Sequence, residues 1–199
     1  MRFLLRWPRI YTWFQTLSRG RKFYEVYVSR FVRPEPGHRI LDIGCGPGVI
    51  LPWIKCDIEY WGVDGSQAYI EAAQKLYGHR GRFLCQLIKD HSVAQPAYFD
   101  TVIATGVLHH LDDENARKLL ELARGYLRPG GRLVTVDGCF VPGQHWFTRI
   151  WLRLDRGKFI RDQEGYERLI REYFSDIQAE IRHDVFNHPN TLLFTSCRV

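Results

Sequence analysis

From about Arg39 onward the chain alternates short apolar runs with stretches of helical periodicity, and that alternation restricts its fold severely. His38–Ile43, Ile58–Val63, Arg82–Ile88, Phe99–Thr105 and Arg132–Val136 read as strands. Phe99–Thr105 is β-branched and apolar, as a strand buried on both faces should be. Between the strands, Ser66–Tyr77 reads as a helix capped by Ser66. Asp112–Leu127 is a second helix, with Ala116, Leu119, Leu120, Ala123 and Leu127 on one face, stopped by Arg128-Pro129-Gly130-Gly131. Strands and helices in turn imply right-handed crossovers and a parallel sheet covered on both sides. Beyond the fifth strand the pattern changes. Gln144–Leu154 is apolar and aromatic, Asp162–Phe174 looks helical, and Ile177–His183 and Thr191–Val199 should pair as a hairpin around the polar turn Asn187–Asn190. The expected fold is α/β, a Rossmann-like, doubly wound seven-stranded sheet with an antiparallel C-terminal hairpin.

Open parallel sheets bind ligands beyond the carboxyl ends of their strands, where the strand order reverses. The unusual residues of this chain fall there. Asp42-Ile43-Gly44-Cys45-Gly46-Pro47-Gly48 follows the first strand and is read as opening a helix. Its glycines permit a tight turn and a close approach of backbone to ligand. Val49 stands where a dinucleotide fingerprint would place its third glycine, so a pyrophosphate cradle is disfavoured. Asp64 ends the second strand, where a carboxylate can accept hydrogen bonds from ribose hydroxyls. Asp42, just ahead of the turn, either orients the loop or faces a cationic group of the ligand. A nucleoside bearing positive charge and no phosphate fits this set better than a dinucleotide does.

The ordered segments Ile40–Gly48 (ILDIGCGPG), Gly62-Val63-Asp64-Gly65-Ser66, Phe99–Leu111 (FDTVIATGVLHHL) and Leu127–Val136 (LRPGGRLVTV) resemble the successive motifs of class I methyltransferases. The resemblance is nearest to the small-molecule branch known as the type 11 methyltransferase domain, and it covers roughly residues 35–140. It implies S-adenosylmethionine as methyl donor. Asp42, Gly44, Cys45, Gly46 and Gly48 would line its methionine end, Asp64 would take the ribose hydroxyls beside Gly65 and Ser66, and Thr105, Gly106 and Val107 would pass under it. The chain departs from the family after the third strand, where Phe83–Ile88 lacks the usual acid for the adenine amino group. Backbone, or Asp90 on a shifted loop, would take that contact.

For the acceptor side the candidates are His109, Asp137 and His145, with His110 as a further imidazole next to the first. An imidazole has the pKa range of a general base, and the histidine pair also occurs in the family without a catalytic role, packed at a helix start. Methyl transfer is a direct displacement on the sulfonium methyl, so aligning the attacking atom and excluding water come before acid–base help. The arm, His109 and the segment Gly138–Gly165, rich in Phe140, Trp146, Phe147 and Trp151, would build the acceptor pocket; those aromatics are equally compatible with ordinary core.

The charge is unevenly placed. Of the net +6, residues 1–33 hold eight basic side chains against Glu25 alone, and the rest is close to neutral. Phe3, Trp7, Ile10, Phe14 and Leu17 recur there at helical spacing, and Ser18 is placed to cap a second helix through Phe31. The domain reading is therefore an N-terminal helical arm or lid over 1–33 and a methyltransferase domain over 34–199, with a substrate-side insertion at 139–176. The arm either packs over the donor site with its arginines solvated, or attracts an anionic substrate or membrane lipid. The expected partner is a small-molecule acceptor, with an anionic or lipid-linked one among the options, and peripheral membrane contact through the arm as a second option. Nucleic acid is disfavoured, because Thr105-Gly106-Val107-Leu108 replaces the Asn/Asp-Pro-Pro-aromatic loop of base-modifying enzymes. The rival readings are an RNA or DNA methyltransferase and a non-catalytic cofactor-binding subunit. Five cysteines without a CxxC pair, histidines without metal spacing and the lack of a long apolar run point to no disulfide framework, no metal, no secretory signal and a cytoplasmic setting.

Overall fold

The computed structural model describes residues 20–87, 93–154, 157–186 and 190–199, the side chains of 151, 153 and 154 apart. Seven strands form one continuous sheet: β1 (Arg39–Ile43), β2 (Glu59–Asp64), β3 (Arg82–Cys85), β4 (Phe99–Thr105), β5 (Leu127–Phe140), β7 (Asp176–Arg182) and β8 (Leu192–Arg198). Their order is β3-β2-β1-β4-β5-β8-β7. The first five run parallel, whereas β8 lies antiparallel to both β5 and β7, so the expected hairpin is present. An eighth strand that the sequence pattern did not announce, the two-residue β6 (Arg161–Asp162), pairs with Cys139 and Phe140 at the far end of β5.

Alternation along the strands sends side chains to two cores. Leu41, Ile43, Val102, Ala104 and Leu133 pack with Ala116, Leu120 and Ala123 of α3 (Asp113–Tyr126) and Leu169 and Ile170 of α5 (Gln163–Arg171). Ile40, Ile103, Val134 and Val136 face the other way, toward Ile70 and Ala73 of α2 (Gln67–Tyr77) and toward an N-terminal helix. That helix, α1, runs over 20–26 and continues as a π-helical stretch, Tyr27–Val32, which Arg33 ends at φ 45°. Phe23, Tyr24, Tyr27, Val28, Phe31 and Val32 recur every three or four residues and are all buried. The rings of Phe23, Tyr27 and Phe31 meet Phe194 of β8 at 5.8, 6.2 and 4.7 Å between centroids. The described part of the arm is thus built into the second core. Residues 1–19, with Phe3 to Leu17 and Ser18, lie outside the described residues.

Three local readings change. The glycine turn after β1 opens no α-helix; a single 3-10 turn, Leu51–Trp53, follows instead. Pro52 lacks the N–H an α-helix would need there, and only fifteen residues, 44–58, separate β1 from β2. Ser66 occupies the N-cap position of α2, but its side chain makes no capping bond; Asp112 does cap α3, accepting from Asn115 N–H at 2.9 Å. Finally, β5 starts at Leu127, opposite Phe99, shifts register through the Pro129–Gly131 stretch, and runs past Val136 to Phe140. Among the described residues, no helix is long and apolar enough to cross a membrane.

Candidate functional site

The carboxyl ends of β1, β2, β4 and β5 align along one edge, with Ile43 opposite Val63 and Ala104, and Thr105 opposite Val136. Chain order reverses between β1 and β4, and a narrow cavity opens there, lined by Tyr24, Tyr27, Asp42, Thr105 and residues 44–47, 49 and 50. The turn is shaped by backbone. Gly44, Gly46 and Gly48 have φ of 73°, 54° and 74°, and the amides of Gly44 and Cys45 both donate to Val63 carbonyl, at 2.8 and 3.1 Å. A Cβ on Gly44 would stand 2.8 Å from Val107 Cγ2, so the turn also lies tight against the segment after β4. Gly106 closes that segment at φ 73°, donating to Val136 carbonyl at 2.7 Å.

Two carboxylates flank the turn. Asp42 is buried, lines the cavity, and accepts the Tyr60 hydroxyl at 2.6 Å. Burial, then the Asp42 charge, holds the Tyr60 phenol far above its ordinary range, so it stays a donor. Asp64 is half-exposed and accepts from Gly46 N–H at 3.0 Å and Ser66 N–H at 2.8 Å, which ties the end of β2 to the turn. Gly65, beside it, is exposed. Cys45 turns its thiol inward, where a Cβ on Gly62 would come within 2.8 Å of Sγ. Burial, reinforced by Asp42 and Asp64, keeps that thiol protonated, and it donates to the Gly46 carbonyl at 3.4 Å. Thr105 Oγ1 hydrogen-bonds the Tyr27 hydroxyl at 2.7 Å, placing α1 against the cavity wall. Asp90 lies outside the described residues, as does the rest of 88–92.

The cavity lining holds a carboxylate and neither lysine nor arginine. A diphosphate in that place would lack a counter-charge, whereas an ammonium or sulfonium group would find one in Asp42. The residues present therefore fit the charge of S-adenosylmethionine, whose cationic groups Asp42 would face.

On the β5 side the structure joins two of the three acceptor-side candidates. Asp137 and His109 are 2% and 7% exposed, and Asp137 Oδ1 meets both His109 Nδ1, at 2.8 Å, and His109 N–H, at 3.1 Å. The other carboxylate oxygen, Oδ2, is buried without a hydrogen-bond partner among the described residues. His109 sits in a 3-10 turn, Leu108–His110, which the 157–161 segment covers: Phe159 N–H donates to His109 carbonyl, and Arg161 donates to the carbonyls of Leu108 and Leu111 while pairing with Asp113. A Cβ on Gly157 would fall 2.2 Å from His109 Cδ2. His110 is exposed, its ring 4.2 Å from that of His109. His145 is not brought to the pair; it stands exposed ahead of α4 (Trp146–Leu154), its Nδ1 accepting Phe147 N–H at 3.3 Å. Sequence reasoning missed Tyr24, Tyr27, Tyr60, Gly157 and Arg161. Tyr60 was within reach, since it lies one strand over from Asp42; Gly157 and Arg161 carry no local signal.

Residues 40–131 match the family model of a methyltransferase domain. An uncharacterized methyltransferase of Anoxybacillus flavithermus is 27% identical over 86% of this chain and 78% of its own length. An O-methyltransferase of Pyrenophora dematioidea is 35% identical over 63% of this chain, which spans only half of that relative. Among solved structures, phosphoethanolamine N-methyltransferase 2 of Haemonchus contortus, in complex with S-adenosyl-L-methionine, superposes at a TM-score of 0.71 with 18% identity, covering 90% of this chain and 52% of that one. In its strand order and across these matches, the chain is similar to methyltransferases, and it shares the fold of the S-adenosyl-L-methionine-bound enzyme.

Proposed function

We propose that this chain transfers a methyl group to a small molecule or to a glycan or lipid precursor, and that Asp137 and His109 handle the acceptor. When bound, S-adenosylmethionine supplies an electrophilic methyl on sulfur. The chain's own part is to hold the donor by the Gly44–Gly48 turn, Asp42 and Asp64, to keep water out, and to orient the acceptor atom. The observation that carries this reading is the buried Asp137–His109 pair, one residue along β5 from Val136, the register partner of the cavity-lining Thr105, with one carboxylate oxygen unsatisfied among the described residues. Buried carboxylate oxygens are almost always hydrogen-bonded, so a hydroxyl or ammonium on an acceptor is a natural partner for Oδ2. The imidazole, held through Nδ1 by Asp137, would help to orient that group. Gly157 and Arg161 act on this pair as positioning residues, by packing over the imidazole and gripping its turn.

The relatives named above include enzymes whose names specify oxygen and nitrogen acceptors, which supports a small acceptor without selecting its atom. Radiolabelled donor incubated with hydroxyl- and amine-bearing small molecules, lipid precursors and structured RNA tests the assignment. Label should enter a low-molecular-weight or lipid-extractable product. Transfer to RNA alone would defeat the reading, and so would donor binding with no transfer to any acceptor class.

A further inference from the structure

α4 is apolar on two sides, and only one of them is packed. Thr148 and Leu152 face inward, with Leu152 Cδ2 so close to the backbone of β5 that a Cβ on Gly138 would stand 3.0 Å away. At 100° per residue, Trp146 and Ile150 fall on the opposite side of the helix. They are 66% and 45% exposed, and Phe147 on the flank is 44% exposed. Phe159, from the segment that covers His109, adds a fourth exposed apolar side chain at 40%. A surface helix normally turns its polar face outward, and large apolar side chains grouped in the open mark a surface that meets something.

The charge around this face indicates what that something is. In sequence, residues 141–161 hold five lysines and arginines against Asp155; Arg161 is paired with Asp113, and Arg149 and Lys158 are exposed. With the basic stretch 1–33 set apart, the remaining residues carry 15 basic against 20 acidic side chains, so the positive charge is concentrated at these two places. On α4 the exposed Arg149 reaches over the Phe140 ring, 5.6 Å from its centroid, beside the aromatic face. Lys158 is exposed next to Phe159. Tryptophan and phenylalanine interleaved with cations suit the boundary of an anionic bilayer, where the rings enter the headgroup layer and the cations meet lipid phosphates.

We propose that the outer face of α4 docks this protein on an anionic lipid surface. α4 follows the carboxyl end of β5, so docking would bring the β5 side of the cleft to the membrane. That consequence rests on the proposed function; the docking does not, because it is read without turnover.

The full chain is mixed with vesicles of phosphatidylcholine alone, or of phosphatidylcholine containing phosphatidylglycerol, and sedimented. Wild type should partition onto the anionic vesicles and far less onto the neutral ones. Trp146→Ser combined with Ile150→Ser should weaken partition about tenfold or more, with donor affinity unchanged as the check on folding. Trp146→Phe keeps the apolar face, so it should keep the binding while losing part of the tryptophan quenching by brominated lipid. Three results would overturn the proposal: undiminished binding by the double variant, equal binding to neutral vesicles, or a dimer that this variant dissolves in a protein indifferent to lipid.

Discussion

Along one edge of the same sheet, the turn after β1 takes its shape from backbone, and the turn after β4, beside Asp137 of β5, takes its shape from side chains. At the first, three left-handed glycines and two amides on the Val63 carbonyl fix a cradle whose one cysteine points away. At the second, a strand carboxylate, an imidazole and a clamping guanidinium fix a turn whose conformation has no glycine of its own. A backbone cradle can serve any chain that needs the same donor. A side-chain cluster can be rewritten residue by residue, which is what a change of acceptor requires. Substitutions should therefore separate the two halves, donor affinity failing on one side and turnover on the other.

The largest effect is expected at Asp137. Asp137→Asn keeps the side-chain shape but removes the charge that orients His109, and it should lower turnover by about a hundredfold or more. Donor affinity, measured by calorimetry, should stay within about twofold of wild type. A parallel fall in donor affinity would break the division, because the β5 cluster would then be supporting the β1 turn.

Gly44→Ala probes the other half. Alanine at φ 73° is strained, and its Cβ would press on Val107 Cγ2. Donor affinity should weaken by about thirtyfold, corresponding to ~2 kcal/mol. Turnover at saturating donor should change much less. Asp64→Asn is milder. The amide keeps one acceptor for the Gly46 and Ser66 N–H groups and loses the charge proposed to face a ribose, so donor affinity should fall about tenfold. Unchanged calorimetric affinity would remove Asp64 from the donor site and leave it a brace for the turn.

The same contrast explains what could be read before the fold was known. The five parallel strands, the hairpin and the glycine turn follow from local signals: apolar runs, period and residues that tolerate positive φ. So do the acids at 42 and 64, because strand ends are visible in the pattern. The expected helix after Gly48 failed where a local rule was applied too widely, since the short return to β2 and Pro52 left room for one 3-10 turn. The cover over His109 was not legible at all. Gly157 is 48 positions away from His109 in sequence, and Arg161 grips carbonyls at 108 and 111, partners that only the α4 excursion brings back. α1 lies between these cases: its apolar spacing announces a buried face, while the Tyr27–Thr105 contact depends on where that helix lands.

The smallest effect belongs to the opposite edge of the sheet and calibrates both halves. Asp100, at the start of β4, accepts the Arg39 backbone N–H at 2.7 Å and the Arg39 guanidinium at 3.4 Å, and its other oxygen pairs with Arg128. Burial alone would raise its pKa, but the Arg39 amide and the Arg128 guanidinium outweigh it and hold the carboxyl below its ordinary range. A folded-state pKa below the unfolded one contributes stability above the unfolded value of ~3.9, lost as pH falls through the folded value. Asp100→Asn should therefore lower Tm by about 2–4 °C at neutral pH, and the gap from wild type should close as the pH drops below the ordinary aspartate range. Donor affinity and turnover should both be unmoved, since neither half of the site edge touches this carboxylate. A gap that persists into strong acid would show that packing, and not charge, holds this corner. A loss of donor affinity would show that the amino edge of β1 transmits strain to Gly44, in which case the β1 turn is less self-contained than its backbone geometry implies.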